Sequence, residues 1–373
     1  MDTHIMELKN IYPTKIIRNC KPICFHENKL VVNKYDSLFF LENDKLSNKP
    51  ICNLPNTWSK KILNLNSLAY RVLRSGVNFG ISFDEFIYVI HTKKLYQINP
   101  KSGIIKLEIN FKNGNGPLSI AKIISIDGFY DGLYFGDYFS NLNKDVINIY
   151  RRTTSSNMWE VIYTFKKGEI NHIHSLIPDE KNKCVWILAG DFDNSAGIWK
   201  ATDNFNNVEP ILCGNQQYRA CVAFPLNGGL LYATDSQLET NYIRFLKKTE
   251  DVWKSEIISE INGSCIYGCM LKDNFVFSTT TEPYGLKDSF IQNLFDRKRG
   301  KGIIKNESHI IIGNIENGFN IIFKNKKDIF PYNLFRFGTI IFPNGKNETN
   351  TLYSYSIANK INDLDLEIRC VDI

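Results

Sequence analysis

The sequence predicts an all-β fold: a single β-propeller of seven four-stranded antiparallel blades, with six blades as the alternative count. Three observations carry that expectation. Short apolar segments rich in β-branched and aromatic residues recur along the chain, and aromatic residues make up 13% of it. Four of them, LYFGDY, VWILAGDFD, LLYATDS and FVFSTTTEP, carry an acid at or near their ends: Asp137, Asp191, Asp235 and Glu282. These acids recur at steps of roughly 50 residues, about the length of one propeller blade. No Gly/Ser-rich or Pro-rich linker divides the 373 residues, so residues 1–373 read as one domain.

Taken in order, the first 20 residues, ending in IYPTKIIRNC, are expected to supply a strand that closes the ring against the last blade. PICFHENKLVVNKYDSLFFLE gives blade one, and a polar connection from Asn53 to Ser67, carrying Trp58, leads onward. Blade two is VNFGISFDEFIYVIHTKKLYQINPKSGIIKLEI. Its NPKSG turn joins Pro, which fixes φ, to Gly, which accepts positive φ. Blade three runs from SIAKIIS to WEVIYTF, blade four from HIHSLIP to VEPILC, and blade five from RACVAFP to WKSEIIS. Blade six opens with CIYGCML and FVFSTTTEP. An insertion at 283–308, partly helical, interrupts it before HIIIGNI and FNIIFKN. Blade seven uses FRFGTIIFP, TLYSYSIA and LEIRCV. Helical patterning is nearly absent outside the insertion.

Composition narrows the function classes. The net charge of +6 is spread along the chain rather than gathered in a stripe, so nucleic acid is not an expected partner. No run approaches 18 apolar residues, so no membrane span is expected. MDTHIMELKN lacks a signal-peptide core, and nine cysteines, an odd number mostly set in apolar strands, read as free thiols. Together these point to a reducing, cytoplasmic location. Cys20 with Cys24, and Cys265 with Cys269, are spaced to share one face of a strand rather than to hold zinc.

Blade geometry then sorts the polar residues. In a four-stranded meander the start of strand one lies beside the end of strand two. Strand-one starts carry Arg74, His172, His174, Arg219 and Arg336. Strand-two ends carry His91, Asp137, Tyr138, Asp191, Asp193, Asp235 and Glu282. All are expected on one rim around the central channel, with ion pairing between blades as the structural reading of the same set. Asp137, Tyr138, His172, Asp191, Asp235 and Glu282 are the catalytic candidates. Arg74, His174, Asp193, Gln216, Gln217, Arg219 and Arg336 are the substrate-binding candidates. His172 and His174 lie at i and i+2, on one face of a strand, and with Asp191 or Asp193 they fit a divalent metal. No organic cofactor is expected. DRKRGKG, from Asp296 to Gly302, reads as a basic lid or a solvated loop.

The hairpins between third and fourth strands carry worn forms of the Asp-box, S-x-D-x-G-x-x-W. ATDNFNNV keeps its Asp at 203, while RTTSSNMW and KKTEDVW keep the closing Trp159 and Trp253. With GDYF, HIHS, GDFD, QQYRA and TDS, these resemble the BNR-repeat, sialidase-like propellers of bacteria, and among them a subgroup of surface-polysaccharide gene clusters. The resemblance covers roughly residues 70–285. It implies a structural Asp-box and an acidic sugar as ligand. Tyr138 as nucleophile and Arg74, Arg219 and Arg336 as carboxylate clamp can be assembled into the sialidase scheme, but these arginines do not align with the sialidase triad. The FRIP-type arginine segment of sialidases is missing. Three functions follow as expectations. The first is glycan binding or glycoside hydrolysis in surface-polysaccharide metabolism, and the second is a metal-assisted polysaccharide lyase. The third is a non-catalytic scaffold docking glycan-biosynthesis proteins.

Overall fold

In the computed structural model, which describes residues 6–7, 11–57, 66–156, 158–285 and 289–371, the chain forms seven sheets around a central axis. The six-bladed alternative is therefore excluded. Blades two to five are four-stranded antiparallel meanders in chain order, opening with Val77–Phe83, Ala121–Ile123, Ile173–Asp179 and Ala220–Leu226. Blade one opens with Cys20–His26 and blade six with Cys265–Leu271.

Blade seven is closed by both ends of the chain. Its strands Thr339–Ile341, Thr351–Ile357 and Leu366–Cys370 come from the C-terminal region, and Lys15–Ile17 pairs antiparallel with Leu366–Cys370 as the outermost strand. Thr14 adds backbone and side-chain hydrogen bonds to the Ile368 carbonyl, at 2.8 and 3.0 Å. The fully buried Arg369 donates from Nε to the Ile11 carbonyl at 3.1 Å. Met6–Glu7 adds a parallel strand to blade six. A chain lacking residues 1–18 is therefore expected to lose cooperative unfolding, because it leaves an open sheet edge and strips a partner from Arg369. Equilibrium urea unfolding would check this: an unchanged single transition would mean that the N-terminal strand is dispensable.

Adjacent blades pack face to face through apolar clusters. Tyr134 and Ile149 of blade three meet Ile187, Ala201 and Phe205 of blade four. Trp186 and Leu188 of blade four meet Ala223 and Tyr232 of blade five. Trp186 donates to Asp179 Oδ2 at 2.9 Å and meets Trp253 edge-on at 5.4 Å. Trp159 packs on Phe135 and Trp199 on Phe165, and none of these four tryptophans lines the central cavity. In the hairpin between the third and fourth strands of blade four, Asp203, Asn204 and Phe205 all adopt positive φ. That tight turn sends the Phe205 ring against Phe129 and Tyr134. It is a packing device.

The connection after blade one holds a helix, Ser67–Val72, that the strand patterning concealed. Asn66 caps it, accepting from the Ala69 backbone N–H at 3.0 Å. Trp58 lies outside the described residues. The insertion in blade six contains a short helix, Phe290–Leu294. Its DRKRGKG segment folds back as a buttress: Gly300 and Gly302 donate to the carbonyls of Glu282 and Gln237. None of its described residues lines the cavity, which corrects the lid reading. Among the described residues, no helix is long and apolar enough to cross a membrane.

Candidate functional site

The first strands of the blades line a central cavity of about 940 Å³. Its described lining residues include the cations Lys21, Arg74, Lys93 and Arg336 but a single acid, Asp191. That imbalance has two walls.

On the wall made by blades one, two and seven, Lys21 sits at the start of a strand with its ammonium buried. It donates to the Val77 carbonyl at 2.7 Å. Burial, then the charge of Arg336, push Lys21 down to about 7. Arg74 follows the capped helix at φ 50° and donates to the Asn333 carbonyl at 3.3 Å. Arg336 terminates the short helix Tyr332–Phe335 at φ 73° and ψ 162°, a region that non-glycine residues rarely occupy. Its Nε is buried with no hydrogen-bond partner. Burial and the Arg336 charge also lower Arg74. The charge of Arg336 thus bears on both neighbours, and the described lining residues of this wall include no carboxylate to offset the three cations.

The opposite wall belongs to blades three to five. His172 immediately precedes the first strand of blade four and His174 is its second residue, while Asp191 follows the end of the second strand. His174 Nε2 lies 3.2 Å from Asp191 Oδ1, and His172 Nε2 lies 3.4 Å from Oδ2. Arg219, just before blade five, reaches Asp191 at 3.1 Å and Asp235 at 3.4 Å. Burial alone would raise the Asp191 carboxyl. The hydrogen bonds from both histidines and the Arg219 charge outweigh it and hold the group well below the usual carboxylate range. Glu282 behaves oppositely: burial first, then the Asp235 charge, lift it well above that range. Tyr138 sits edge-on to His172 with ring centroids 4.6 Å apart. Burial, then nearby acidic groups, raise its phenol.

The structure sorts the sequence candidates into layers rather than onto one rim. Arg74, Tyr138, His172, Asp191 and Arg336 line the cavity. His174, Arg219, Asp235 and Glu282 are buried behind it, Asp235 accepting from Cys221 Sγ at 3.2 Å and Glu282 from Ser264 Oγ at 3.2 Å. Three candidates face elsewhere. Asp137 caps its own blade by accepting from the Asn148 backbone N–H at 3.0 Å. Gln216 donates to the Asp191 carbonyl at 2.7 Å, bracing that loop. Gln217 turns outward to Glu239 and the Thr240 carbonyl. Asp193 opens a 3-10 turn, Asp193–Ser195, and its side chain lies outside the described set. Lys21, Cys221 and Tyr267 line the cavity without having been singled out. Lys21 was within reach, since it occupies the strand-one start of blade one.

Comparison with solved structures decides the architecture. The AfRom2 CNH domain is similar over 98% of both chains, at 10% identity and a TM-score of 0.54. A chain of the mitotic checkpoint complex is similar over 98% of this chain and 97% of its own, at 9% identity and a TM-score of 0.53. The extracellular domain of a hybrid two-component system from B. thetaiotaomicron matches 99% of this chain and 39% of its own, at 10% identity and a TM-score of 0.52. This chain is a seven-bladed β-propeller. At such identities the likeness establishes fold alone. No family model and no curated protein matches the chain.

Proposed function

We propose that this propeller binds an anionic sugar or sugar-derived small molecule in its central cavity. The carboxylate or phosphate lies against Arg336, Arg74 and Lys21, and the hydroxyls face His172, Asp191 and Tyr138. The observation that carries this reading is the excess of cations around the cavity, with a buried guanidinium nitrogen of Arg336 that lacks a partner. The resemblance to sialidase-like propellers supports the sugar class and a role in surface-polysaccharide metabolism. The nine unpaired thiols support a reducing compartment.

Glycoside hydrolysis needs two carboxyl groups flanking the scissile bond. Asp191 is the one acid among the described lining residues, so recognition is the part of that function with the firmest support. Calorimetric titration with uronic acids, sialic acid and nucleotide sugars would test it. Arg336→Ala is expected to weaken the best ligand by about 10–100-fold, the value of one charge-assisted hydrogen bond or a pair. Affinity that survives the Arg74→Ala/Arg336→Ala double variant would place the ligand elsewhere. A tight protein partner with no small-molecule response would favour the scaffold reading.

A further inference from the structure

His172 and His174 are fixed by their other ring nitrogens. His172 Nδ1 lies 3.1 Å from the Phe139 carbonyl, and His174 Nδ1 lies 2.8 Å from the Ala220 carbonyl. A carbonyl only accepts, so each Nδ1 must carry a proton and donate it. In the neutral rings both Nε2 atoms then present lone pairs. Those two atoms are 3.0 Å apart, and each faces a carboxylate oxygen of Asp191. Nε2 atoms 3.0 Å apart and a carboxylate within 3.4 Å need positive charge among them. It is supplied either by protons on Nε2, as in the hydrogen bonds that hold Asp191 ionised, or by a metal ion in their place.

Everything around them matches the outer shell of a metal site. Both imidazoles are oriented by backbone carbonyls, and the carboxylate is held by Arg219 at 3.1 Å. Gln216 and a tight glycine turn hold the Asp191 backbone. With bonds of about 2.1 Å, nitrogens 3.0 Å apart subtend roughly 90° at the ion, whereas a tetrahedral ion would spread them to about 3.4 Å. Two histidines and a carboxylate on one octahedral face leave the remaining positions open. His172 and Asp191 line the cavity, so those positions face it.

We propose that His172 Nε2, His174 Nε2 and Asp191 bind one divalent cation of octahedral preference, of the Mn(II), Fe(II), Co(II) or Ni(II) class, across the cavity from the cationic wall. The inference does not rest on the anion reading, because the probe is the metal alone.

The test uses the full chain stripped with chelator and titrated with MnCl2 and CoCl2. One ion per chain is expected, with Co(II) giving the weak visible bands of an octahedral centre. His172→Gln and Asp191→Asn, checked for retained fold by circular dichroism, are expected to weaken binding by at least the 10–100-fold that an outer-shell substitution costs. Arg336→Ala should leave it unchanged, which separates this site from the anion receptor. Should those variants fail to fold, imidazole resonances of the native chain answer the question. Of its six histidines, Co(II) should shift His172 and His174 most. Failure of both cations to bind stoichiometrically would overturn the proposal and leave a shared proton between the Nε2 atoms. So would binding untouched by His172→Gln, or shifts centred on other histidines.

Discussion

Lys21→Met is expected to make the protein more stable near pH 6 while removing most of its affinity for an anion. An unfolded lysine titrates near 10.4, whereas burial and Arg336 hold Lys21 at about 7 in the folded chain. Between those values the unfolded state binds more protons, so this residue makes stability rise with pH from about 7 to 10. Below pH 7 the ammonium is charged in both states, and its desolvation cost is present in full, on the order of several kcal/mol. Methionine removes that cost but leaves the Val77 carbonyl without its 2.7 Å donor, which takes back about 1–3 kcal/mol. Urea unfolding at pH 6 and pH 10 should show the variant ahead at the lower pH and the gap closing at the higher one. A variant less stable at pH 6 would assign Lys21 to the framework instead. An anion in the cavity should also draw a proton onto Lys21 at pH 8, seen as binding heats that depend on the buffer's ionisation enthalpy.

Gly190→Ala should be the most damaging single methyl in the molecule. Gly190 has φ +82°, and a Cβ there would lie 1.7 Å from the Ser195 carbonyl oxygen and 2.1 Å from its carbon. The obstacle is backbone, so no rotamer relieves it, and the conformation is itself costly for alanine. The 190–196 loop must open, and Asp191 moves with it, away from His172, His174 and Arg219. A destabilisation of about 4 kcal/mol or more is expected, together with loss of cation binding. Thermal unfolding and a CoCl2 titration measure both. A variant within about 1 kcal/mol of the parent and still binding Co(II) would contradict the geometry assigned to this turn.

The blades were legible because each carries its own local signal. NPKSG closes its hairpin through Asn99, which accepts from the backbone N–H groups of Lys101 and Ser102 at 3.0 Å. The ring closure was legible from IYPTKII, an apolar run with no partner nearby in sequence. The helix Ser67–Val72 was not, because six residues give too few turns for a 3.6-residue period to emerge. At the site, strand register placed His172, His174 and Asp191 together, since residues two apart share a face and the second strand runs back beside the first. It did not separate layers. Glu282 and Asp235 follow strand ends as Asp191 does, yet both end up behind the cavity wall. Asp137 was misread for a related reason: its carboxylate is taken by a backbone N–H eleven residues on, a contact that no spacing rule reveals. Arg336 stood among the candidates. That its Nε would be orphaned depends on the helix before it, and Lys21, just ahead of the blade-one segment that begins at Pro22, was not singled out.

The seam in blade seven also sets a timetable. Thr14 and Ile368, bonded to one another, are 354 residues apart. As the chain leaves the ribosome, blades one to six can assemble from neighbours in sequence, but the segment at 15–17 has no partner until 366–370 emerge. Joining ends so distant is a slow step with a high entropic barrier, and it comes last. Until then the nascent ring carries an exposed sheet edge that other chains can pair with. Once the seam has formed, unfolding has to begin by breaking it, so the same long-range pairing that delays maturation should also give the finished ring a long lifetime.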